Sequence, residues 1–185
     1  MTFAPDLLAG SRVAAVGPPG AEIVGRLRAL GATVDGLGEP DLLGEDDAVA
    51  WVRAHAPAAL LFDGRPRFGA GGASRLADTL ELAWRAARAV TTGALIEAGG
   101  PGRLLFVAPP PGAGPHTDAA RAALENLART VSVEWARFQI TAVALTPGAM
   151  TTDGELAELV AYVLSPAGGY LSGCRLDLGA APVPA

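Results

Sequence analysis

Short apolar runs and longer stretches of helical periodicity alternate along the chain, as expected when strands and helices follow one another. Residues 12–16 form an apolar run that ends at the Gly-Pro-Pro-Gly sequence of residues 17–20, which is typical of a buried strand entering a turn. Residues 21–30 then place apolar side chains at helical spacing, and Gly31 is expected to end this helix in the left-handed conformation. The same alternation continues along the rest of the chain.

This pattern predicts strands over residues 12–16, 32–34, 58–62, 104–107, 140–145 and 174–178. It predicts helices over residues 21–30, 45–56, 74–95, 118–138 and 155–164. Ser74 is the expected N-cap of the third helix, and the Gly- and Arg-rich residues 64–73 before it are expected to form a loop. Alternating strands and helices indicate an α/β fold with a doubly wound parallel sheet. We expect a Rossmann-like three-layer sandwich in a single domain over residues 1–185.

Composition narrows the classes of protein to consider. A net charge of −5 argues against a nucleic-acid partner, and no apolar run is long enough to cross a bilayer. The first residues lack the basic region and apolar core of a secretory signal, so we expect a cytoplasmic protein. Cys174 is the single cysteine, which excludes an internal disulfide and a cysteine-based zinc cluster. No metal site is predicted. The fourteen basic residues are all arginine, which removes any lysine catalyst.

The second half of the chain carries a recognisable order of segments. An apolar strand at 102–108 leads into a Gly/Pro loop, followed by Arg121-Ala-Ala-Leu124 on a helix, a strand that ends at Pro147-Gly148, and a final segment from Gly173 to Gly179. In order and spacing these segments resemble the short-chain dehydrogenase/reductase family, and the resemblance extends over about residues 8–179.

The resemblance identifies the positions where the family has its catalytic Ser, Tyr and Lys. Here those positions hold Pro109 or Pro110, Thr117 and Arg121, and the family's supporting Asn falls near Thr79. The family's reaction needs a phenol to move a proton, a Lys to lower the phenol's pKa and a hydroxyl to polarise the carbonyl. An aliphatic hydroxyl is too weakly acidic for this task, and a guanidinium does not replace an ammonium freely. The resemblance therefore implies a scaffold without catalytic residues.

The family binds NAD(P) with a Gly-rich loop after the first strand. In this chain the corresponding turn runs only from Gly17 to Gly20, about three residues shorter than the family's loop. Pro18 and Pro19 have no N–H to offer a diphosphate, and Glu22 places a carboxylate in the first helical turn. The alternatives are a modified cofactor site and a tight strand–helix turn that binds nothing.

Two further positions match cofactor-binding residues of the family. Asp41 corresponds to the Asp that contacts the adenine edge, and Asp63-Gly64 stands where the family has Asn-Ala-Gly. An Asp before a loop is also a common turn residue, so each match has a structural alternative. We expect no cofactor, and NAD(P) remains possible if these positions retain the nucleotide site.

His116 is not at one of the family's catalytic positions, but it is the one residue that could move a proton there. It precedes Thr117, and an imidazole titrates near neutral pH. The alternative is a solvated histidine at the start of a helix, and His55 is interpreted as structural.

The family has a long excursion after Pro147-Gly148 that covers the substrate. Here residues 149–154 lead almost directly to the helix at 155–164, so the substrate lid is expected to be deleted.

The helices at 74–95 and 118–138 form a four-helix interface in the resembled family, and its C-terminal strand forms a second one. Apolar residues beyond those needed to cover the sheet are expected to face a partner there: Ala77, Ala86, Ala89, Ala122, Val133 and Trp135. The expected partner is a second copy or an active relative. We expect neither a nucleic acid nor a membrane as a partner.

Three hypotheses follow from these observations. The first is a catalytically inactive relative of the short-chain dehydrogenases that acts structurally or as a regulator in a homo- or hetero-oligomer. The second is an NAD(P)H-dependent oxidoreductase whose atypical site uses His116 or is completed by a partner subunit. The third is a small-ligand binding module that uses the crevice above Gly17, Asp63 and Pro109.

Overall fold

Apolar runs that are buried on both sides become the strands of one parallel sheet. The computed structural model describes residues 3–68 and 72–179. The strands within these ranges are β1 Arg12–Val16, β2 Thr33–Gly36, β3 Ala59–Asp63, β4 Gly102–Val107, β5 Ile140–Thr146 and β6 Cys174–Asp177. Every residue of β3 is buried, as expected of a central strand that is covered by helices on both faces.

Helices connect the strands and cover both faces of the sheet. They are α1 Ala21–Ala29, α2 Glu39–Leu43, α3 Glu45–His55, α4 Ala73–Val90, α5 Ile96–Ala98, α6 Thr117–Glu134 and α7 Asp153–Leu164. A π-helical turn, Thr91–Leu95, joins α4 to α5. Short 3-10 turns lie at Arg65–Arg67, Ala136–Phe138 and Pro166–Tyr170. None of the described helices is both long and apolar enough to cross a membrane.

The strand order is β2-β1-β3-β4-β5-β6, with all neighbours parallel. This is a doubly wound order in which the chain direction across the sheet reverses between β1 and β3. The predicted α/β fold, a Rossmann-like sandwich of helix, sheet and helix, is therefore confirmed. At the reversal the connections leave to opposite sides, which opens a crevice at the carboxyl ends of β1 and β3.

Successive side chains of each strand enter two different cores. Phe62 and Phe106 point to the face covered by α3, α4 and α6, with ring centroids 6.3 Å apart. Leu61 and Leu105 point to the opposite face, which is covered by α1 and α7. Ala86 and Ala89 are buried in the first core, where their small side chains let α4 pack closely. Their predicted place on a partner-facing surface is therefore wrong.

Several predicted boundaries change for local reasons. Gly31 has a φ of +94°, which confirms its left-handed conformation after α1. Ser74 is not the N-cap of α4, because the helix starts at Ala73 and Gly72 occupies the N-cap position. The predicted loop over 64–73 contains the 3-10 turn Arg65–Arg67, and residues 69–71 lie outside the described residues.

Helix α2 was absent from the sequence prediction because its five residues are too few to show a helical period. The predicted helix over 74–95 ends as an α-helix at Val90 and continues as the π-helical turn. Within that turn a Cβ at Gly93 would lie 3.0 Å from Val52 Cγ1, so a glycine allows α3 to approach closely.

Two glycines of the first strand–helix unit give a matched test of this backbone. Gly17 has a φ of +78°, and a Cβ there would lie 2.4 Å from the Asp63 carbonyl oxygen. We expect Gly17→Ala to lower the free energy of unfolding by at least about 2 kcal/mol, since both strain and overlap oppose it. Gly25→Ala, in open space on α1, should raise it by about 0.5–1 kcal/mol. Urea denaturation measures both, and equal effects would contradict the described turn.

Candidate functional site

The crevice at the carboxyl edge of the sheet is the first place to look for a ligand, because open α/β sheets bind ligands where the strand order reverses. Gly17 follows β1, and Asp63 ends β3 beside it. The close approach of Gly17 to the Asp63 carbonyl brings the two strand ends into contact. The structure thus brings together Gly17, Gly20 and Asp63, three of the predicted cofactor-site residues.

Asp63 is fully buried, and its carboxylate is matched by Arg65. The Arg65 guanidinium donates from Nε to Asp63 Oδ1 at 3.0 Å and from Nη2 to Asp63 Oδ2 at 2.7 Å. The Arg65 backbone N–H also donates to Asp63 Oδ1 at 3.1 Å. Hydrogen bonding to Asp63 raises the pKa of Arg65 well above its usual value. This bidentate geometry is the strongest way for an arginine to hold a carboxylate.

The same guanidinium reaches across the crevice to α7. Its Nη1 donates to Asp153 Oδ1 at 2.5 Å, so one arginine links the end of β3 to the first residue of α7. The side chain of Arg65 is only 19% exposed, whereas that of Asp153 is 47% exposed. Arg65 and Asp153 were not among the residues singled out from the sequence, because 88 residues separate them along the chain.

Helices α1 and α7 meet at their N-termini over the Gly17–Gly20 turn. A Cβ at Gly20 would lie 3.0 Å from Asp153 Oδ2, and one at Gly154 would lie 3.3 Å from Glu22 Oε2. Each helix thus brings a carboxylate close to the N-terminal end of the other. A carboxylate at that position is stabilised by the partial positive charge of the helix end, as a phosphate would be.

A capping box fixes the start of α7. Thr152 Oγ1 accepts a hydrogen bond from the Glu155 N–H at 3.2 Å, and Glu155 Oε2 accepts one from the Thr152 N–H at 2.9 Å. This hydrogen bonding lowers the pKa of Glu155. The reciprocal bonds define where the helix begins and so set the position of Asp153, its first residue.

The Gly17–Gly20 turn offers few backbone donors, and charged side chains lie close to it. Two of its four residues are prolines and donate no N–H. The carboxylate of Asp153 and the guanidinium of Arg65 approach Gly20, and the Glu22 carboxylate stands in the first turn of α1. Carboxylates and a guanidinium therefore share the space at this helix end.

Asp41 is engaged at the start of α2. Its Oδ2 accepts a hydrogen bond from the Gly38 N–H at 3.1 Å. This is a helix-capping contact, so the carboxylate has a structural partner independent of any nucleotide.

Arg121 clamps the ends of two neighbouring strands. Its Nη1 donates to the carbonyl oxygens of Pro109 and Pro147, both at 2.8 Å. Its Nη2 lies 4.0 Å from Asp177 Oδ1 at the end of β6. The side chain is 17% exposed, so the guanidinium lies largely among these strand ends and not on the solvent side of the helix. Carbonyls at strand ends have lost their ladder partners, and the guanidinium satisfies them.

Thr117 and His116 lie at the start of α6. The Thr117 hydroxyl donates to the Gly114 carbonyl and accepts from the Gly114 N–H, both at 2.8 Å. His116 occupies the N-cap position, and its half-buried ring makes no hydrogen bond with another described residue. Thr79, which matched the family's Asn, donates its hydroxyl to the Arg75 carbonyl at 2.7 Å.

The described residues contain no group of three or more His, Cys, Asp or Glu side chains arranged to hold a metal ion. The single thiol, Cys174, is half-buried on β6, and burial raises its pKa. Neither observation adds a reactive group to the crevice.

Comparison with solved structures finds the same fold in short-chain dehydrogenases. The chain is similar to the citronellol catabolism dehydrogenase AtuB of Pseudomonas aeruginosa PAO1, with 20% identity, a TM-score of 0.77 and coverage of 96% of this chain and 97% of that chain. It is similar to a short-chain type dehydrogenase/reductase from Mycobacterium marinum, with 16% identity and a TM-score of 0.78. The match covers 95% of this chain and 97% of that chain.

A third similar structure is the 3-ketoacyl-(acyl-carrier-protein) reductase of Brucella melitensis complexed with NADH, with 18% identity and a TM-score of 0.74. The match covers 94% of this chain and 98% of that chain. No family model and no curated protein matches the chain. At these identities the likeness establishes a shared fold.

Removing Arg65 should leave a buried carboxylate without its partner. We expect Arg65→Met to lower the free energy of unfolding by about 3–5 kcal/mol, measured by urea denaturation. The exposed pair Arg53–Glu97 offers a matched control, and Arg53→Met should cost at most about 1 kcal/mol. Adding Asp63→Asn to Arg65→Met should recover part of the loss. Equal losses at Arg65 and Arg53 would contradict the described network.

Removing Arg121 should leave two strand-end carbonyls unpaired. We expect Arg121→Met to lower the free energy of unfolding by about 1–3 kcal/mol, and Arg121→Lys to retain part of the stability through a single ammonium. Arg129→Met removes an exposed arginine of the same helix, paired with Glu125, and should cost at most about 0.5 kcal/mol. Thermal and urea unfolding compare the three variants, and a neutral Arg121→Met would exclude the clamp.

Proposed function

We propose that this chain is a non-catalytic subunit with the short-chain dehydrogenase fold, acting structurally or as a regulator in an oligomer. Its partner would be a second copy or an active short-chain dehydrogenase. One observation carries the proposal: Arg65 bridges the buried Asp63 and the α7 residue Asp153 inside the crevice where such proteins would hold a dinucleotide. The crevice then stabilises the fold instead of binding a cofactor.

The first support is the chemistry of the nucleotide turn. Short-chain dehydrogenases hold a negative diphosphate at the N-terminus of α1, where N–H groups are free. Here that end is approached by Asp153 and carries Glu22, and the preceding turn has two prolines. Three features therefore oppose a diphosphate at the same place. We infer that the chain has no NAD(P) cofactor of its own.

The second support is the use of the side chains at the family's catalytic positions. Thr117 holds the Gly114 loop, and Arg121 holds the ends of β4 and β5. Pro109 contributes only its carbonyl oxygen, as an acceptor for Arg121. None of these groups can move a proton near neutral pH, so the chemistry of carbonyl reduction lacks its acid.

The third support is the short connection between β5 and α7. Six residues separate Thr146 from Asp153, and a Cβ at Gly148 would lie 2.8 Å from the Gly179 Cα. This close packing joins the β5 end to the segment after β6. A connection this short brings α7 against the crevice and leaves no separate lid to exclude water from a substrate.

The outer faces of α4 and α6 support an oligomer. Trp84 is 40% exposed and stacks on Trp135, with the two ring centroids 6.1 Å apart. Val133 is 76% exposed. Ala77 and Ala122 are also exposed on these helices. Exposed tryptophan and valine on neighbouring helices are typical of a surface that a partner covers.

An alternative function is supported by one comparison. The similar 3-ketoacyl reductase is a complex with NADH, so a related fold does bind a nicotinamide dinucleotide. In that case His116, at the start of α6, would be the candidate proton donor, and a partner subunit would complete the site. The oxidoreductase function would require the side chains of Asp153 and Arg65 to leave the crevice when the nucleotide enters.

Isothermal titration with NADH and NADPH separates the two functions. We expect no saturable binding to the purified chain, because the diphosphate position is occupied by the chain's own charged side chains. An active short-chain dehydrogenase titrated in parallel is the positive control. The opposite result would be saturable binding of NADH or NADPH together with hydride transfer. If His116→Ala kept the binding but lost the hydride transfer, the oxidoreductase would replace the non-catalytic proposal.

Native mass tests the partner surface independently. We expect the chain to form an oligomer alone or with a co-expressed short-chain dehydrogenase, and Val133→Arg to weaken that assembly by placing charge in an apolar contact. Met150→Arg is the matched control, since Met150 is 89% exposed but lies beyond β5 and outside these helices. A monomer under both conditions, or equal effects of the two variants, would contradict the proposed surface.

A further inference from the structure

A cleft of about 350 Å³ lies at the edge of the sheet opposite the crevice. It opens at the amino-terminal ends of β4 and β5 and near the 3-10 turn that follows α7. Its lining includes Gly102, Arg103, Gln139, Thr141, Gly169 and Ser172. Its volume is in the range that small-molecule sites occupy, roughly 300–1,000 Å³.

Arg103 distinguishes this cleft from an ordinary surface groove. Its side chain is half-buried, and its Nε is fully buried without a hydrogen-bond partner. By contrast, the half-buried Arg65 and Arg121 use their guanidinium groups in several short hydrogen bonds. Among the described residues, Arg103 forms neither an ion pair nor a hydrogen bond. Burial without a counter-ion lowers its pKa.

Acidic side chains are absent from the described lining of the cleft. A desolvated guanidinium without a carboxylate costs folding free energy, since its hydration is lost and no charge replaces it. Elsewhere the chain pairs its partly buried arginines with Asp or Glu, as at Arg26 and Glu158. An oxyanion in the cleft would supply the charge that the protein leaves out here.

The other polar groups of the cleft are suited to the same kind of ligand. Arg103 and Thr141 are register partners on adjacent parallel strands, so their side chains leave the sheet on the same face. Ser172 adds a second hydroxyl, and Gln139 adds an amide. The Thr141 hydroxyl donates to the Gly102 carbonyl at 3.4 Å, so Arg103, Ser172 and Gln139 are the donors left for a ligand. A guanidinium suits the geometry of a carboxylate or a phosphate.

Two backbone features keep the cleft in shape. Gln139 has a φ of +60°, a left-handed conformation that disfavours most residues other than Gly and Asn. A Cβ at Gly169 would lie 3.2 Å from Arg103 Nη2, so the glycine leaves room beside the guanidinium. Gln139 is the C-cap of the 3-10 turn Ala136–Phe138, so its conformation fixes where that turn ends beside the cleft.

We propose that this cleft binds a small oxyanion, a carboxylate or a phosphate, with Arg103 as the principal binding residue. The ligand could be a free anion or the carboxylate of a bound protein chain. The site is separate from the crevice, so its presence or absence leaves the proposed non-catalytic function untouched.

Thermal unfolding with inorganic phosphate tests the site. At constant ionic strength set with sodium chloride, we expect phosphate to raise the Tm of the wild-type chain in a saturable way. Arg103→Met should abolish this rise. Without phosphate the variant should unfold at the same temperature as the wild type or a higher one, because it removes an unpaired buried charge.

Arg137→Met is the matched control. It removes the same charge from the turn beside the cleft, but Arg137 is exposed and lies over the Phe138 ring instead of inside the lining. This variant should keep the phosphate response. Where phosphate and Arg103→Met leave the native mass unchanged, an equal response in the wild type and Arg103→Met would overturn the proposal, and so would a loss of stability in Arg103→Met without phosphate.

The source of the oxyanion is resolved by native mass. If a second copy supplies a carboxylate, the wild type should dimerise. Both phosphate and Arg103→Met should then dissociate the dimer. That result supports the site with a carboxylate of the second copy as its ligand. If free anions are the ligands, phosphate should raise the Tm without changing the native mass. Absence of both a Tm rise and a mass change would refute the site.

Discussion

The buried carboxylate of Asp63 is the constraint on which the rest of this structure depends. It lies at the end of the central strand β3, fully removed from water, at the point where the strand order of the sheet reverses. A charge in that position needs a matched partner, because its desolvation otherwise costs several kcal/mol. Arg65 supplies the match, and its remaining nitrogen holds Asp153 at the start of α7. The positions of the strand end, the first turn and the last long helix are thereby linked.

Two arginines link neighbouring elements at the carboxyl edge of the sheet. Arg65 joins β3 to α7, while Arg121 joins the ends of β4 and β5 to α6. Both are planar donors that satisfy several acceptors at once, which a lysine could not do in the same geometry. Open α/β sheets bind ligands at this edge, and here the chain's own side chains join parts of it. These contacts are the physical basis of our proposal that the chain is a non-catalytic subunit.

Local signals predicted most of the fold but little of this edge. The strands follow from short apolar runs, and the end of α1 follows from Gly31, whose left-handed φ only glycine adopts without strain. Helix α2 is too short to show a period, and Gly72 replaced Ser74 as the N-cap of α4. The Arg65–Asp153 contact depends on how distant segments pack, which no local pattern encodes. The two buried alanines of α4 were misplaced because alanine fits a surface and a tight helix–sheet contact equally well.

The most direct test of the central claim is a crystal structure of the protein grown with saturating NADPH. The account predicts electron density for the Arg65 guanidinium between the carboxylates of Asp63 and Asp153, with no nucleotide at the N-terminus of α1. Density for a diphosphate at that helix end, with Arg65 and Asp153 turned out of the crevice, would contradict it. In that case the network would be a closed state of a dinucleotide site, and the chain would have to be studied as an oxidoreductase.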